Sequence, residues 1–130
     1  AVEDPEVNTL LMEVLAAEGR VPLRLTAQQG VRRLHLGLML AGARLLQSQG
    51  AHRAGDVDLV AVQMTGASRR WGGPLHAADH LGLAMILREL RALADTHGSG
   101  WEPPELLVDL VKHGMRFADC QQSGTLRVAA

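Results

Sequence analysis

The sequence contains very few aromatic side chains. Trp71, Trp101 and Phe117 are the only three in 130 residues, and tyrosine is absent. Large aromatic side chains usually contribute much of the buried surface of a core. A core in this chain must therefore be built from Leu, Val, Ala, Met and Ile. The chain is long enough for one such core, because a domain of this size buries about two-thirds of its unfolded surface.

Cysteine and a charge excess are also lacking, and both absences exclude classes of protein. Cys120 is the only cysteine, so an internal disulfide and a zinc site built on several cysteines are impossible, and a reducing, cytoplasmic location is favoured. The 13 basic and 14 acidic residues give a net charge of -1. Binding to nucleic acid needs clustered positive charge. A membrane span needs about 18 consecutive apolar residues, and no run is that long.

The turn that binds dinucleotides is missing as well. That turn has the pattern Gly-x-Gly-x-x-Gly between a strand and a helix. Gly72-Gly73 comes nearest, but it follows no predicted strand and Pro74 comes directly after it. The sequence therefore predicts no catalytic residue and no cofactor-binding residue, and we expect the isolated chain to be inactive.

Helical periodicity is what the sequence has in abundance. Apolar residues recur at helical spacing in five segments, and no segment alternates as a strand does. The predicted helices run from Asp4-Pro5 to Gly19, Thr26 to about Gln49, Gly55 to Gly66, Pro74 to about Asp95, and Pro103-Pro104 to Gly114. We expect an all-α, single five-helix bundle over residues 1–118, followed by a frayed tail at 119–130.

The second predicted helix has the clearest pattern. Its apolar stripe, which predicts the buried face, comprises Leu34, Leu38, Ala41, Leu45 and Ser48, and is flanked by Val31, Leu36 and Leu46. Gly37 and Gly42 interrupt good helix formers, and each costs about 1 kcal/mol relative to Ala. We expect both glycines to allow close approach of a neighbouring helix. Arg32-Arg33 is expected to lie on a solvated face.

Three stretches carry a recognisable set of motifs: AGARLLQSQGAHRAGDVDLV (41–60), RRWGGPLHAADHLGL (69–83) and WEPPELLVDLVKHGMRF (101–117). They contain an Asp-x-Asp helix start, a Gly-Gly-Pro-x-x-x-Ala-Asp-x-x-Gly-Leu phrase, and Pro-x-x-Leu-Leu-Val before Gly-x-x-Phe. Together they resemble the C-terminal domain of the 3-hydroxyacyl-CoA dehydrogenase family. The likeness covers residues 4 to 118 and is strongest to the second copy of that domain, which ends the multifunctional fatty-acid oxidation α-subunits.

The resemblance implies a fold, a function and partners. The fold would be a bundle of the 6-phosphogluconate dehydrogenase C-terminal-like type. The function would be structural and substrate-flanking, within an NAD-dependent oxidoreductase of fatty-acid β-oxidation whose separate nucleotide domain binds NAD and holds the catalytic His–Glu pair. The implied partners are that nucleotide-binding domain or subunit, or a homo-oligomer formed through an exposed apolar face. Acyl-CoA is a candidate ligand.

The resemblance also implies roles for two groups of residues. The substrate-flanking residues are Gln63, Arg69, Arg70 and Trp71. Gln63 stands where some multifunctional members have a tyrosine that lines the acyl-substrate tunnel. The loop-ordering and structural residues are Asp56, Asp58, Gly72, Gly73, Pro74 and Asp79. We expect Asp56 to cap the third helix, Asp58 to lie in its first turn, and Asp79 to order the loop before the fourth helix.

Two motifs allow another interpretation. His76, Asp79 and His80 share one helical face, a geometry that can bind a divalent metal, but we predict no metal and solvated histidines. The segment Arg69-Arg70-Trp71 could hold a phosphate or the adenine of coenzyme A. For this segment we favour packing against a neighbouring dehydrogenase domain.

Two departures from the family pattern support an alternative function. The family usually has Tyr-Gly-x-Gly-Phe-Pro after the Asp-x-Asp helix, and this chain has QMTGAS at 63–68. The usual Asn-Glu pair on the second helix is replaced by Leu40-Ala41. The alternative is a stand-alone helical interaction or regulatory module derived from this domain.

Overall fold

All regular secondary structure in the described part of the chain is helical. The computed structural model describes residues 4–66 and 69–120, and the all-α class is confirmed. Six α-helices lie in this part: α1 (Pro5–Ala17), α2 (Ala27–Gln47), α3 (Ala54–Thr65), α4 (Pro74–Leu81), α5 (Leu83–His97) and α6 (Glu105–His113). Three short 3₁₀ turns lie at Arg69–Trp71, Ser99–Trp101 and Phe117–Asp119.

The chain divides into two compact units, residues 1–31 and 32–130. In the first unit, the carboxylate of Asp4 accepts the backbone N–H of Glu6 at 3.0 Å, and Pro5 is the first residue of α1. Gly19 follows the helix with φ +65°, the left-handed conformation that favours glycine. The predicted start and end of this helix are confirmed. Within its own unit α1 buries none of its side chains.

The start of α2 is stabilised by two reciprocal hydrogen bonds. The backbone N–H of Gln29 donates to Oγ1 of Thr26 at 3.2 Å, and the backbone N–H of Thr26 donates to Oε1 of Gln29 at 2.9 Å. Each bond pairs a backbone donor that a helix start leaves unpaired. The predicted cap at Thr26 is confirmed.

The second unit contains a core made almost entirely of aliphatic side chains, as the shortage of aromatic residues predicts. Phe117 is the exception, and at 1 % exposure it is among the most deeply buried residues. The buried hydrophobic residues are Leu36, Met39, Leu40, Ala43, Leu46, Ala54, Val57, Leu75, Ala77, Ala78, Leu83, Ile86, Leu87, Leu90, Leu106, Leu107, Leu110 and Phe117.

The centre of the apolar stripe predicted for α2 is wrong, whereas Leu36 and Leu46, which flank that stripe, are buried. Leu34 is 64 % exposed and Leu45 is 43 % exposed, and Ala41 between them is exposed too. The stripe that is buried instead comprises Leu36, Met39, Leu40, Ala43 and Leu46. Within the second unit α2 therefore has two apolar stripes, one in the core and one largely on the surface.

Gly42 lies where α2 meets α3 and α4. A Cβ on Gly42 would lie 3.1 Å from side-chain atoms of both Leu75 and Val57, closer than ordinary van der Waals contact. The close approach predicted at Gly42 is confirmed. At Gly37 the prediction is wrong, because a Cβ there would meet only Trp101, at an ordinary 3.9 Å.

Gly82 divides the predicted fourth helix into α4 and α5. Its backbone has φ +95° and ψ 116°, far from helical values. Its N–H donates to the carbonyl of Ala78 at 3.0 Å and so ends α4, and its own carbonyl accepts the N–H of Ile86 at 3.2 Å and so begins α5. The predicted count of five helices is therefore corrected to six in the part of the chain that the structure describes.

Arg32 forms a cross-helix ion pair rather than lying free in solvent. Its Nε and Nη2 donate to the carboxylate of Glu89 on α5 at 2.9 Å and 2.6 Å. The two side chains are 32 % and 31 % exposed. Bidentate pairing of this kind is stronger and more directional than a single hydrogen bond. It ties α2 to α5, and the predicted solvated face is wrong at Arg32.

The start of α6 is capped from α2. Pro104 precedes α6 and has no side-chain oxygen or nitrogen with which to cap it. Oε1 of Gln47 accepts the backbone N–H of Leu106 at 2.9 Å instead. This bond pairs one of the first-turn donors of α6 across 59 residues of sequence.

The predicted domain limits, 1–118 with a tail at 119–130, stay a prediction, as does the specific bundle type. Asp119 ends the last 3₁₀ turn, and residues 121–130 lie outside the described residues. Within residues 4–66 and 69–120, no helix combines the length and the apolar character needed to cross a membrane.

Candidate functional site

Asp58 lies at the centre of the candidate site. It is 7 % exposed, and it is the one buried charged residue among those the structure describes. Its Oδ1 accepts the backbone N–H of Leu75 at 2.7 Å, and its Oδ2 accepts that of His76 at 3.0 Å. Both donors belong to the first turn of α4, whose own N-cap, Gly73, has no side chain. Asp58, a residue of α3, thus caps α4. It lies just beyond the first turn of α3, the turn in which the sequence predicts it.

Burial and hydrogen bonding act on Asp58 in opposite directions. Burial raises the pKa of Asp58, because removal from water disfavours the charged carboxylate. The N–H groups of Leu75 and His76 lower the pKa of Asp58, and the nearby charge of Asp79 raises it slightly. Burial is the larger effect, so the pKa of this carboxyl lies above its ordinary value.

The segment before α4 fits closely around Asp58. Gly72 has φ +74° and Gly73 has φ +106°, both in the region that favours glycine. A Cβ on Gly73 would lie 2.6 Å from Cα of Asp58, and a Cβ on Gly72 would overlap the ring of His76. Pro74 is the first residue of α4 and is fully buried. The structure therefore brings four of the predicted structural residues together at one helix start.

Asp79 makes the same kind of contact at the far end of α4. Its Oδ1 accepts the backbone N–H of Phe117 at 2.8 Å, and its Oδ2 accepts that of Ala118 at 3.0 Å. Asp79 therefore orders the 3₁₀ turn that follows α6, and the predicted contact with the loop before α4 is wrong. No local signal marks this partner, because 38 residues separate Asp79 from Phe117.

Asp56 does not cap α3. The helix begins at Ala54, and its N-cap residue is Arg53, which makes no side-chain cap hydrogen bond. Asp56 lies in the first turn and is exposed. A negative charge there interacts favourably with the helix dipole, but the predicted capping role is wrong.

Gln63 and His76 both line an open groove of about 640 Å³ in the second unit. Leu59 and Val62 of α3 contribute apolar side chains to this groove. Leu59 lies about one helical turn before Gln63, and Val62 is its neighbour in the sequence. Gly55, Asp58 and Gly72 complete the lining. The groove therefore places an amide and an imidazole beside an apolar surface.

Trp71 packs inside its own unit. Its indole stacks on the imidazole of His35 from α2, with ring centroids 5.1 Å apart and planes 28° apart. The ring also packs against the hydrophobic core. One face of the indole is thus occupied, which disfavours stacking on an adenine. Arg70 is exposed, and the side chain of Arg69 lies outside the described part of the structure.

His76 and His80 face one another on the exposed side of α4. Their ring centroids are 4.2 Å apart with the planes at 45°, and Nδ1 of His80 lies 2.9 Å from the carbonyl oxygen of His76. Asp79, the third residue of the sequence motif, points its carboxylate to the backbone of Phe117 and Ala118 instead. Accordingly, no cluster of three metal-ligating side chains is found within residues 4–66 and 69–120.

The chain has a relative among characterised proteins. It is 31 % identical over 118 residues to a peroxisomal bifunctional enzyme of Danio rerio. The match covers 88 % of this chain and 16 % of that protein, so the chain spans about a sixth of its relative's length. No family model matches the chain.

Proposed function

We propose that this chain is a non-catalytic, structural and substrate-flanking helical domain of a 3-hydroxyacyl-CoA dehydrogenase of fatty-acid β-oxidation. The observation that carries the proposal is the 31 % identity to a peroxisomal bifunctional enzyme over 88 % of the chain. The ordered motifs in the sequence add to it and favour the second copy of the domain. In this setting the parent enzyme oxidises a 3-hydroxyacyl-CoA with NAD, which another domain binds.

The hydrogen bonding of the two aspartates supports a non-catalytic role. Both oxygens of Asp58 accept backbone N–H groups at the start of α4, and both oxygens of Asp79 accept N–H groups of Phe117 and Ala118. A general base must be able to take a proton from a substrate within hydrogen-bond reach. Either carboxylate would have to weaken the bonds that hold a helix or turn in order to do so.

Cys120 is an equally poor nucleophile. Burial raises the pKa of the Cys120 thiol, and the nearby charges of Asp79 and Asp119 raise it further. The thiolate is the reactive form of cysteine. A raised thiol pKa leaves less of the reactive thiolate, which supports a structural role for Cys120.

The groove between α3 and the start of α4 supports the substrate-flanking part of the proposal. Leu59 and Val62 provide an apolar surface suited to a hydrocarbon chain, and Gln63 and His76 provide polar groups beside it. Ligand sites commonly combine such a surface with a few polar groups. We therefore assign this groove to the acyl part of a 3-hydroxyacyl-CoA bound mainly by another domain.

The surface stripe of α2 supports a structural partner. Leu34, Ala41 and Leu45 are exposed on one side of the helix in the second unit. Contiguous exposed apolar surface is typical of a protein interface. We propose that this stripe packs on the dehydrogenase domain, or on a second copy of this domain.

The decisive experiment combines an activity assay with a binding assay. The purified chain, mixed with NAD and a 3-hydroxyacyl-CoA, should form no NADH. Calorimetry with the same thioester should detect weak binding, and Val62→Trp, which fills the groove, should weaken it about tenfold or more. Val21→Trp is the matched control, because Val21 is 88 % exposed and lies outside the groove.

The outcomes separate the alternatives. Formation of NADH by the chain alone would refute the non-catalytic role. Equal affinity of Val62→Trp and the parent chain would refute the assignment of the groove. If the chain binds neither the thioester nor a dehydrogenase domain, the result favours the alternative function, a stand-alone interaction or regulatory module, over the dehydrogenase domain.

Location is a separate part of the proposal. The single cysteine favours the cytoplasm, whereas the relative is peroxisomal by name. We propose a cytoplasmic location, and we expect the protein to appear in the cytosolic fraction rather than with organelles when cells are fractionated.

A further inference from the structure

The two histidines of α4 have a geometry that suits a metal ion, a ligand that the proposed function does not include. The chain has six histidines, and only His76 and His80 are four residues apart, which places them on the same face of a helix. Both are exposed. We propose that His76 and His80 together bind one transition-metal ion, with water completing its coordination.

The orientation of His80 supports this site. Its Nδ1 lies 2.9 Å from the carbonyl oxygen of His76, so Nδ1 carries the proton and donates it to that oxygen. The neutral ring then has its lone pair on Nε2, directed away from the backbone. Histidines that bind metals commonly donate their other ring N–H to a backbone carbonyl in this way.

The spacing of the two rings is within reach of one ion. Imidazole nitrogens bind Zn²⁺ at about 2.0–2.1 Å, so two ligand nitrogens of one ion lie at most about 4 Å apart. The ring centroids are 4.2 Å apart, and the exposure of both side chains allows them to rotate toward a shared ion.

Asp58 gives the site rigidity and favourable charge. It holds the backbone N–H of His76 at 3.0 Å and so fixes the turn from which that histidine projects. Its negative carboxylate lies at the base of the turn that carries His76 and would attract a cation bound beside that residue.

The ligand types determine which ions are expected. Two imidazoles suit Cu²⁺, Ni²⁺ and Zn²⁺, with Cu²⁺ bound most tightly, whereas Mg²⁺ and Ca²⁺ prefer oxygen ligands. Asp79 contributes no third ligand, because its carboxylate binds the backbone of Phe117 and Ala118. The expected site is therefore open and exchangeable.

Calorimetric titration of the chain with Cu²⁺, and separately with Zn²⁺, tests the proposal. One ion should bind per chain, more tightly for Cu²⁺, and Mg²⁺ should not bind. His76→Gln and His80→Gln should each weaken binding about tenfold or more, since each removes one of two ligands. His113→Gln is the matched control. His113 is exposed on α6, and its Nδ1 also lies 2.8 Å from the carbonyl oxygen of the residue four positions earlier. That residue is Asp109, so His113 has no second histidine one turn away.

A measurement on the unaltered chain keeps the test independent of how the variants fold. Paramagnetic Cu²⁺ should broaden the NMR signals of residues around His76 and His80 first, and removal of the ion by a chelator should reverse the broadening. Equal weakening by His113→Gln, unchanged affinity in either α4 variant, or broadening centred elsewhere would each overturn the proposal. Both measurements are made without acyl-CoA, so they test the metal site separately from the assignment of the groove, which His76 also lines.

Discussion

Asp58 and Gly73 fit together so closely that a single added methyl group would collide with the aspartate. A Cβ on Gly73 would lie 2.6 Å from Cα of Asp58 and would also overlap its carboxylate. The same carboxylate holds the N–H of Leu75 at 2.7 Å. The absence of a side chain at Gly73 and the carboxylate of Asp58 therefore determine jointly how α4 begins.

Gly73→Ala is expected to destabilise the fold. The substitution adds a Cβ at φ +106°, a strained conformation for alanine, and forces Asp58 to move. Strain and overpacking of this kind each cost about 1–3 kcal/mol. Urea unfolding followed by circular dichroism measures the loss.

Gly55→Ala is the matched control for that substitution. Gly55 lies in α3, and a Cβ there would meet no atom within 4 Å. Alanine in a helix is favoured over glycine by roughly 1 kcal/mol, so this variant should be slightly more stable than the parent chain. A similar loss in both variants would contradict the packing described at Gly73.

Asp58→Ala should cost about 2–3 kcal/mol of unfolding free energy, because it leaves the buried N–H of Leu75 without an acceptor and removes a helix cap. Asp56→Ala changes an exposed aspartate in the first turn of the same helix and should cost at most about 1 kcal/mol. Denaturant titration of both variants makes the comparison. Equal losses would show that Asp58 does not cap α4.

The raised pKa of Asp58 predicts a dependence of stability on pH. Because its pKa in the folded chain lies above the unfolded value, the folded state binds more protons than the unfolded state between those two values. The contribution of Asp58 to stability should therefore fall as pH rises through that window. Unfolding free energies of the parent chain and Asp58→Asn, measured at several pH values, should differ in slope there. A contribution that grew with pH would mean that the N–H groups outweigh burial.

The surface stripe of α2 leads to a prediction about association. Leu34→Asp combined with Leu45→Asp should weaken self-association, or binding to a dehydrogenase domain, by about tenfold or more, because a charge replaces apolar surface at the proposed contact. The control is Val60→Asp combined with Leu81→Asp, since these residues are 58 % and 45 % exposed on other helices. Sedimentation velocity measures both. A chain that stays monomeric and binds no such domain would argue against the interface.

Most helix ends could be predicted from the sequence, because their signals are local. Asp4 and Thr26 cap through residues two or three positions away, and Gly66 and Gly114 adopt the left-handed conformation that ends a helix. Gly82 could not be predicted as a break. An isolated glycine within an apolar helical pattern is usually tolerated, and only the φ of +95° separates α4 from α5.

The centre of the buried face of α2 and the partner of Asp79 were predicted wrongly for different reasons. α2 has two apolar stripes, and periodicity alone does not decide which one the rest of the chain covers. Asp79 binds backbone groups 38 and 39 residues away, and residue type carries no information about such distant partners. Asp58, Gly72, Gly73 and Pro74 belong to motifs that predict structural residues, but the contact of Asp58 with the start of α4 was not predicted, because 17 residues separate Asp58 from Leu75.

The capping of α4 by a residue of another helix has a consequence for the order of folding. α4 has only eight residues, and isolated helices shorter than about 12–15 residues are marginal in water. The acceptor that completes its first turn lies on α3, 17 residues earlier. A peptide comprising residues 72–82 should therefore be unstructured, and α4 should appear in refolding experiments only together with α3, as one cooperative step.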